Sequence, residues 1–219
     1  MKDVKAVRGR YYIQRLVEQG EHVNQDFKYL INDARKIARS VSAFANNSGG
    51  RLLIGVKDNG VIAGVRNEED IYVVEQAASM YCHPACHVDF KAYNVDYGVI
   101  VICAEIQRAT HRPVMVDEGG GVTKAYYRVK DENITAHPLM VEAWRLRDNP
   151  GYEPLYYSAD DFVTSILDTL TDRAMSIEQL AREIHASMRS VEDAVTRLAA
   201  MDMIDFIFDG DRFVLTRQV

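Results

Sequence analysis

The sequence predicts an α/β (α+β) fold, a mixed-sheet domain followed by a small helical domain that closes on a hairpin. Three observations predict it. Up to about residue 148, amphipathic helical segments alternate with short apolar runs of strand length. Asp148-Asn149-Pro150-Gly151-Tyr152-Glu153-Pro154 then breaks the pattern with two prolines and a glycine. Residues 159–219 read as helix, helix, helix, hairpin. The expected domains are therefore 1–148 and 159–219, with 149–158 as linker.

Ile13, Leu16 and Val17 place a helix over 11–19, ended by Gly20. A short strand is expected over 23–28. From Asp33, the apolar residues Ile37, Ala38, Val41, Phe44 and Ala45 recur at helical spacing until Asn46-Asn47-Ser48-Gly49-Gly50 stops the helix. The runs 51–57 and 61–65 flank Asp58-Asn59-Gly60, a strong local signal for a hairpin. Asn67 is placed to cap a helix running to Tyr81, with Glu68, Glu69 and Asp70 in its first turn. Residues 88–95 and 99–106 read as a second hairpin, whose second arm is apolar on both faces and so belongs in the middle of a sheet. Gly119-Gly120-Gly121 marks a flexible loop, 125–129 a strand and 139–146 a helix. In the last segment, Phe162, Val163, Ile166, Leu167 and Leu170 form a stripe. Ser176 and Gln179 make a capping box, Val191, Val195 and Leu198 mark a third helix, and 204–208 with 212–215 close as a hairpin.

Composition narrows the class. The chain has 219 residues, 47% of them hydrophobic and 26% charged, an ordinary globular balance. No apolar run approaches the roughly 20 residues that span a bilayer, and no apolar stretch follows Met1-Lys2-Asp3-Val4-Lys5 to act as a signal peptide. With only three cysteines, Cys82, Cys86 and Cys103, a disulfide framework is not expected, which fits a reducing cytoplasm. The net charge of −6 argues against a protein that coats nucleic acid by charge alone. It is unevenly spread, at +1 over residues 1–150 and −7 over 151–219, so the first part is the better partner for phosphate.

The segments SIEQLAREI, SVEDAVTRLAAMDMI and GDRFVLT resemble the winged-helix domains of transcription regulators. That resemblance implies a third helix presenting Arg189, Ser190 and Arg197 to a major groove. Against it, Glu192, Asp193, Asp202, Asp205, Asp209 and Asp211 surround the surface and would repel phosphate, which suits dimerisation or protein contact better.

GEHVNQDFK followed by SAFANNSGGRLLIGVKDNGVIAGV, with the later RPV and AYYRVKDENI, resembles the Schlafen/AlbA-type domain over roughly residues 8 to 147. The family occurs in bacterial regulators and in animal Schlafen proteins. The resemblance implies nucleic-acid binding and, in members that cleave RNA, three carboxylates at positions that map here onto Glu21, Asp26 and Asp58. Such a cluster would hold Mg²⁺ or Mn²⁺ to activate water, with Lys28 beside a phosphate. This sequence has Asp where Glu is usual before Phe-Lys, which shortens that ligand. Strand parity also places Glu21 opposite Asp26 and Lys28 unless a turn intervenes. Without metal, the expected contacts are Lys28, Arg35, Lys36, Arg39, Arg51 and Lys57, and no cofactor is needed. Arg35, Lys36 and Arg39 also fit a solvated helix face.

ATP is not expected, because Gly49-Gly50 leads into a strand and there is no G-x-x-x-x-G-K-[ST]. Cys82-His83-Pro84-Ala85-Cys86-His87 gathers zinc-type ligands, but lacks the distant second pair of a structural site. A helix-to-strand turn with half-buried side chains is the expectation there, and His111 and His137 read as surface residues. The functional expectation is a cytoplasmic nucleic-acid-binding regulator, acting as a homo-oligomer on DNA or RNA. Its rivals are a metal-dependent ribonuclease using Glu21, Asp26 and Asp58, and a protein-partner adaptor.

Overall fold

The computed structural model describes residues 5–66, 69–152 and 161–218. The expected cap Asn67 and residues 153–158 of the expected linker lie outside them. The chain divides into two units, 1–135 and 136–219.

The first unit contains β1 (Val7–Arg8), α1 (Arg10–Glu18), β2 (Gln25–Lys28), α2 (Ala34–Asn46), β3 (Gly50–Ile54) and α3 (Glu69–Gln76). A π-helical turn over Ala77–Tyr81 leads into β4 (Cys82–His83), β5 (Val88–Asp96) and β6 (Val99–Ile106). The unit ends with β7 (Met115–Gly119), β8 (Val122–Val129) and β9 (Glu132–Thr135). Among the described residues these strands build a five-stranded mixed sheet, β1-β5-β6-β3-β2, and a four-stranded sheet, β4-β7-β8-β9. The outer pairs β1–β5 and β2–β3 of the larger sheet run parallel, and the inner pairs antiparallel.

The doubly apolar arm expected at the centre of a sheet is β6, and the structure shows why both its faces are apolar. Val101 and Cys103 pack with Ile13 and Leu16 of α1 on one side. Ile102 and Ala104 pack with Val41 and Phe44 of α2 on the other. Helix α2 also meets the smaller sheet. Ser42 Oγ donates to the Val114 carbonyl (2.8 Å) and accepts the Tyr126 amide (3.1 Å). A helix buried on both flanks needs small residues, which explains Ala38, Ser40, Ser42, Ala43 and Ala45, all buried. Asn46 and Asn47 do more than stop the helix. The Asn46 side chain donates to Val114 and Tyr126 carbonyls and accepts the Val114 amide. The Asn47 side chain exchanges two 2.9 Å hydrogen bonds with the backbone of Arg128.

One local expectation is met only in part, as a hairpin cut to a single antiparallel bridge. Residues 51–57 and 61–65 do not form a hairpin ladder: only Val56 and Ile62 pair, as an isolated bridge. Both edges of β3 are already taken, by β2 and β6, so a third partner has no free hydrogen-bonding groups. Gly55, at φ +98°, turns the chain out of the sheet and accepts the amides of Ala63 and Gly64 through its carbonyl. A Cβ there would lie 2.7 Å from the backbone of Gly64 and Val65. Gly119-Gly120-Gly121, expected as a flexible loop, makes the tight turn between β7 and β8, with φ positive at all three.

The second unit contains α4 (Pro138–Arg147), α5 (Asp161–Asp172), α6 (Ile177–Glu183), α7 (Met188–Ala200), β10 (Ile204–Phe208) and β11 (Phe213–Arg217). Helix α4, read from the sequence as the end of the first domain, belongs here. Arg147 caps the end of α7 by donating to the carbonyls of Ala200 (2.7 Å) and Ala199 (3.0 Å), and pairs with Asp202. The order helix, helix, helix, hairpin from α5 to β11 is as read, and Ser176 and Gln179 form the capping box. His137, expected at the surface, is half-buried: it caps α4 through Nδ1 and stacks on Phe206 at 5.2 Å. Among the described residues no helix is long and apolar enough to cross a membrane.

The side chain of Arg128 in β8 is 1% exposed. Its guanidinium donates to the Gln25 and His22 carbonyls and to Asn133 Oδ1, faces Asp26 at 3.4 Å and lies over the Phe44 ring. Removing one partner of a buried pair leaves the other uncompensated. Arg128→Leu is therefore expected to lower the unfolding free energy by about 3–5 kcal/mol, measured by urea denaturation. A change near zero would mean that Lys28 alone compensates Asp26.

Candidate functional site

Residues 20–28 bring the first carboxylates together. Gly20 ends the first helix region at φ +71°, and His22 and Gln25 bridge back on each other. This is the turn that strand parity required. It returns Glu21 to the side of Asp26, where Glu21 Oε1 accepts the Phe27 amide at 2.8 Å and the two carboxyl groups hydrogen-bond. Asp26, 3% exposed, is also held by Lys28 Nζ at 2.7 Å, Arg128 at 3.4 Å and the Ser40 hydroxyl at 3.3 Å.

The environments drive the two acids apart. Burial, then the hydrogen bond with Asp26, push Glu21 up from 4.5 to about 7, against the pull of the Phe27 amide. Burial also pushes Asp26 upward, but the hydrogen bond from Glu21 and the charges of Lys28 and Arg128 outweigh it and hold Asp26 below its ordinary value. The result is a proton kept on Glu21 beside an ionised Asp26, with two cations behind it.

Asp58 does not join them. It sits on an exposed turn closed by the Gly60 amide on the Lys57 carbonyl at 2.8 Å. Among the described residues no three His, Cys, Asp or Glu side chains are grouped to hold a metal ion. Asp26 meets Lys28 through one oxygen and Arg128 through the other, so a divalent ion would have to displace a cation that the fold itself places there. The donor set does not fit Mg²⁺ or Mn²⁺. The run 82–87 is not a zinc cluster either: the Cys82 thiol is buried and donates to the Ala38 carbonyl at 3.7 Å, while His83 and His87 face out and His87 pairs with Asp89.

The expected cationic contacts divide by partner. Arg39 donates to both oxygens of Glu118, with Nε at 2.9 Å, so its charge is largely compensated. Arg51 is half-buried and stands opposite Glu105 of β6. Arg35 is exposed, 5.3 Å above the Tyr81 ring, and Lys36 is exposed. Lys57 lies 5.1 Å above the Tyr29 ring, whose other cation, Arg66 at 5.4 Å, the sequence reading did not single out. In the second unit Arg189 is exposed, whereas Arg197 is tied to Asp193 at 3.1 Å. Sequence reading also missed Arg128 and Ser40. The one available signal was a lone arginine in the strand 125–129, since a buried charge implies a partner.

The raised acid sets a pH dependence. Glu21 takes up its proton more readily folded than unfolded, so its contribution to stability is complete below about pH 4.5 and fades as pH rises through about 7. Asp26 acts oppositely, its contribution fading in acid. Glu21→Gln is expected to flatten the fall of the thermal midpoint between those two pH values; an unaltered slope would remove Glu21 as its source. Millimolar Mg²⁺ or Mn²⁺ is expected to leave the wild-type midpoint unchanged, and a clear rise would mean that metal displaces Lys28.

No curated protein matches the chain. Among solved structures, a protein from Corynebacterium diphtheriae is 17% identical with a TM-score of 0.44, over 88% of this chain and 34% of that one. This chain thus spans about a third of that protein's length. The N-terminal domain of a RecG-related protein from Nitrosomonas europaea is 18% identical with a TM-score of 0.43, over 60% of this chain and 97% of that domain. Both likenesses are too loose to carry an argument about this chain. The sequence match is firmer: the family model described as Schlafen, AlbA_2 covers residues 21–137, more than half of the chain. By that match the chain belongs to the Schlafen, AlbA_2 family.

Proposed function

We propose that this chain is a nucleic-acid-binding protein, regulatory in role, that meets the phosphate backbone through its first unit. The observation that carries the reading is a basic–aromatic patch centred on Tyr29, which follows β2. Lys57 and Arg66 each lie over the Tyr29 ring, whereas Lys28, one residue away in sequence, is already engaged by Asp26. Cations resting on an aromatic ring are ordered before a ligand arrives, so less side-chain entropy is lost on binding a polyanion. The charge division supports the same side: net +1 over residues 1–135 against −7 over 136–219.

The second unit, on this reading a winged helix, serves self-association rather than DNA reading. Its helix α7 carries Arg197 neutralised by Asp193, and the hairpin tip is Asp209-Gly210-Asp211. Fold class alone does not make such a domain a DNA reader.

RNA cleavage is a second reading, favoured by one arrangement: Glu21, held by the Phe27 amide, adjoins Asp26, held by Lys28, with Glu21 pushed up to about 7 and Asp26 held down. Two acids driven apart in this way are suited to proton transfer, and the arrangement calls for no metal.

Fluorescence anisotropy on DNA and RNA duplexes and single strands at several salt concentrations tests the proposal. Binding is expected to weaken steeply with salt. Lys57→Ala and Arg66→Ala are each expected to reduce the log–log salt slope by about one, the amount set by a single neutralised phosphate. Absence of binding at low salt would favour a protein-partner adaptor. Cleavage of the RNA that persists in chelator and is abolished in Glu21→Gln would promote the second reading.

A further inference from the structure

A second surface of the first unit, built from residues 8–12 and 94–97 and containing none of the three mapped carboxylates, has the make-up of a base-stacking site. Sequence reading took residues 11–19 only as an amphipathic helix, yet the run Arg8-Gly9-Arg10-Tyr11-Tyr12 interleaves cations with aromatics. The fold sets this run against the β5–β6 turn, making a cleft of about 660 Å³ lined by Arg8, Arg10, Tyr11, Tyr12 and Tyr97 together with the 94–96 strand end. Tyr11 is 82% exposed and Tyr97 fully so. Single exposed apolar residues are ordinary, but two open rings and a third, 41% exposed, lining one cleft are not.

The base of the cleft is anchored at Gly9 and Tyr12. The Gly9 amide donates to the Asn94 carbonyl at 3.2 Å, and a Cβ on Gly9 would lie 2.3 Å from the Tyr93 ring, so only glycine lets α1 start this close to β5. Tyr12 is fixed against Tyr93, with ring centroids 5.1 Å apart. Charge is complementary to phosphate: Arg8 and Arg10 are exposed, Arg15 follows Tyr11 one helical turn on, and the first turn of α1 carries no acid. Among the described residues the only acid lining the cleft is Asp96, whose Oδ1 accepts the Tyr97 amide at 2.8 Å.

We infer that this cleft binds a single-stranded nucleic-acid segment, with unpaired bases stacked on Tyr11 and Tyr97 and phosphates on Arg8 and Arg10. The inference rests on the nucleic-acid reading above and deepens it, because stacking on a ring requires a base freed from its partner. Duplex contact would need only the cations.

The test measures the full chain against a mixed-sequence single-stranded DNA of about twelve nucleotides, within the range of single-strand site sizes, and against its duplex. Tyr11→Ala/Tyr97→Ala is expected to weaken single-strand binding about tenfold or more and to leave duplex binding nearly unchanged. Tyr11→Phe/Tyr97→Phe is expected to restore it, since the ring and not the hydroxyl stacks. Both positions are exposed, and the thermal midpoint checks that the variants fold. Single-strand binding unaffected by the alanine variant, equal losses on both probes, or wild type binding duplex alone would each overturn this site while sparing the general reading. Failure of the wild type to bind either probe would overturn both.

Discussion

The arrangement of the first unit turns on one buried charge. Arg128, on β8 of the smaller sheet, reaches Asp26, Gln25 and His22 around β2 of the larger sheet, and lies over Phe44 of the helix between them. A guanidinium taken out of water is tolerated only where carboxylate and carbonyl oxygens meet it. The two sheets are thereby held in one register about α2. The small residues of α2 permit the same closeness, and Asn46 and Asn47 complete it by pairing with backbone that would otherwise lack partners. The same constraint contributes to the chemistry of the site: burial and then the hydrogen bond with Asp26 push Glu21 up, while that hydrogen bond, with the charges of Lys28 and Arg128, holds Asp26 down against its own burial.

A cationic residue contributes to polyanion binding according to what its charge already meets. Arg39 is engaged by Glu118, Arg197 by Asp193, and Lys28 by Asp26. Lys57 and Arg66 meet an aromatic face instead, and Arg8 and Arg10 line an open cleft with three tyrosines. Net charge therefore says less about this surface than partner assignment does, which is how a chain of net −6 presents basic patches at all.

Much of the fold was legible where the signal is local. The stripe of α2, the hairpin of β5 and β6, the doubly apolar β6 and the Ser176–Gln179 capping box all follow from spacing and side-chain chemistry within a few residues. Strands β7 and β9 were missed because each is short and mixes polar with apolar residues. The expected hairpin after β3 is cut to a single bridge because Asn59-Gly60 specifies a turn but not whether the flanking strand has a free edge. Of the three mapped carboxylates, the close pair Glu21 and Asp26 assembles through a turn that parity alone had flagged as a condition, and Asp58 remains on its exposed turn.

By itself the sequence determined the class of fold, the family motif from Glu21 onward, the glycine and asparagine turns, and the acidic balance of the second unit. Each depends on residue type and on spacing along the chain. Only the tertiary structure decided which charges meet: that Arg128 stands behind Asp26, that Glu118 takes Arg39, that α4 joins α7 through Arg147, and that Tyr97 comes to lie beside Tyr11. Those pairings join residues many tens of positions apart, and electrostatic energy depends on separation in space and on local burial, neither of which spacing along the chain encodes.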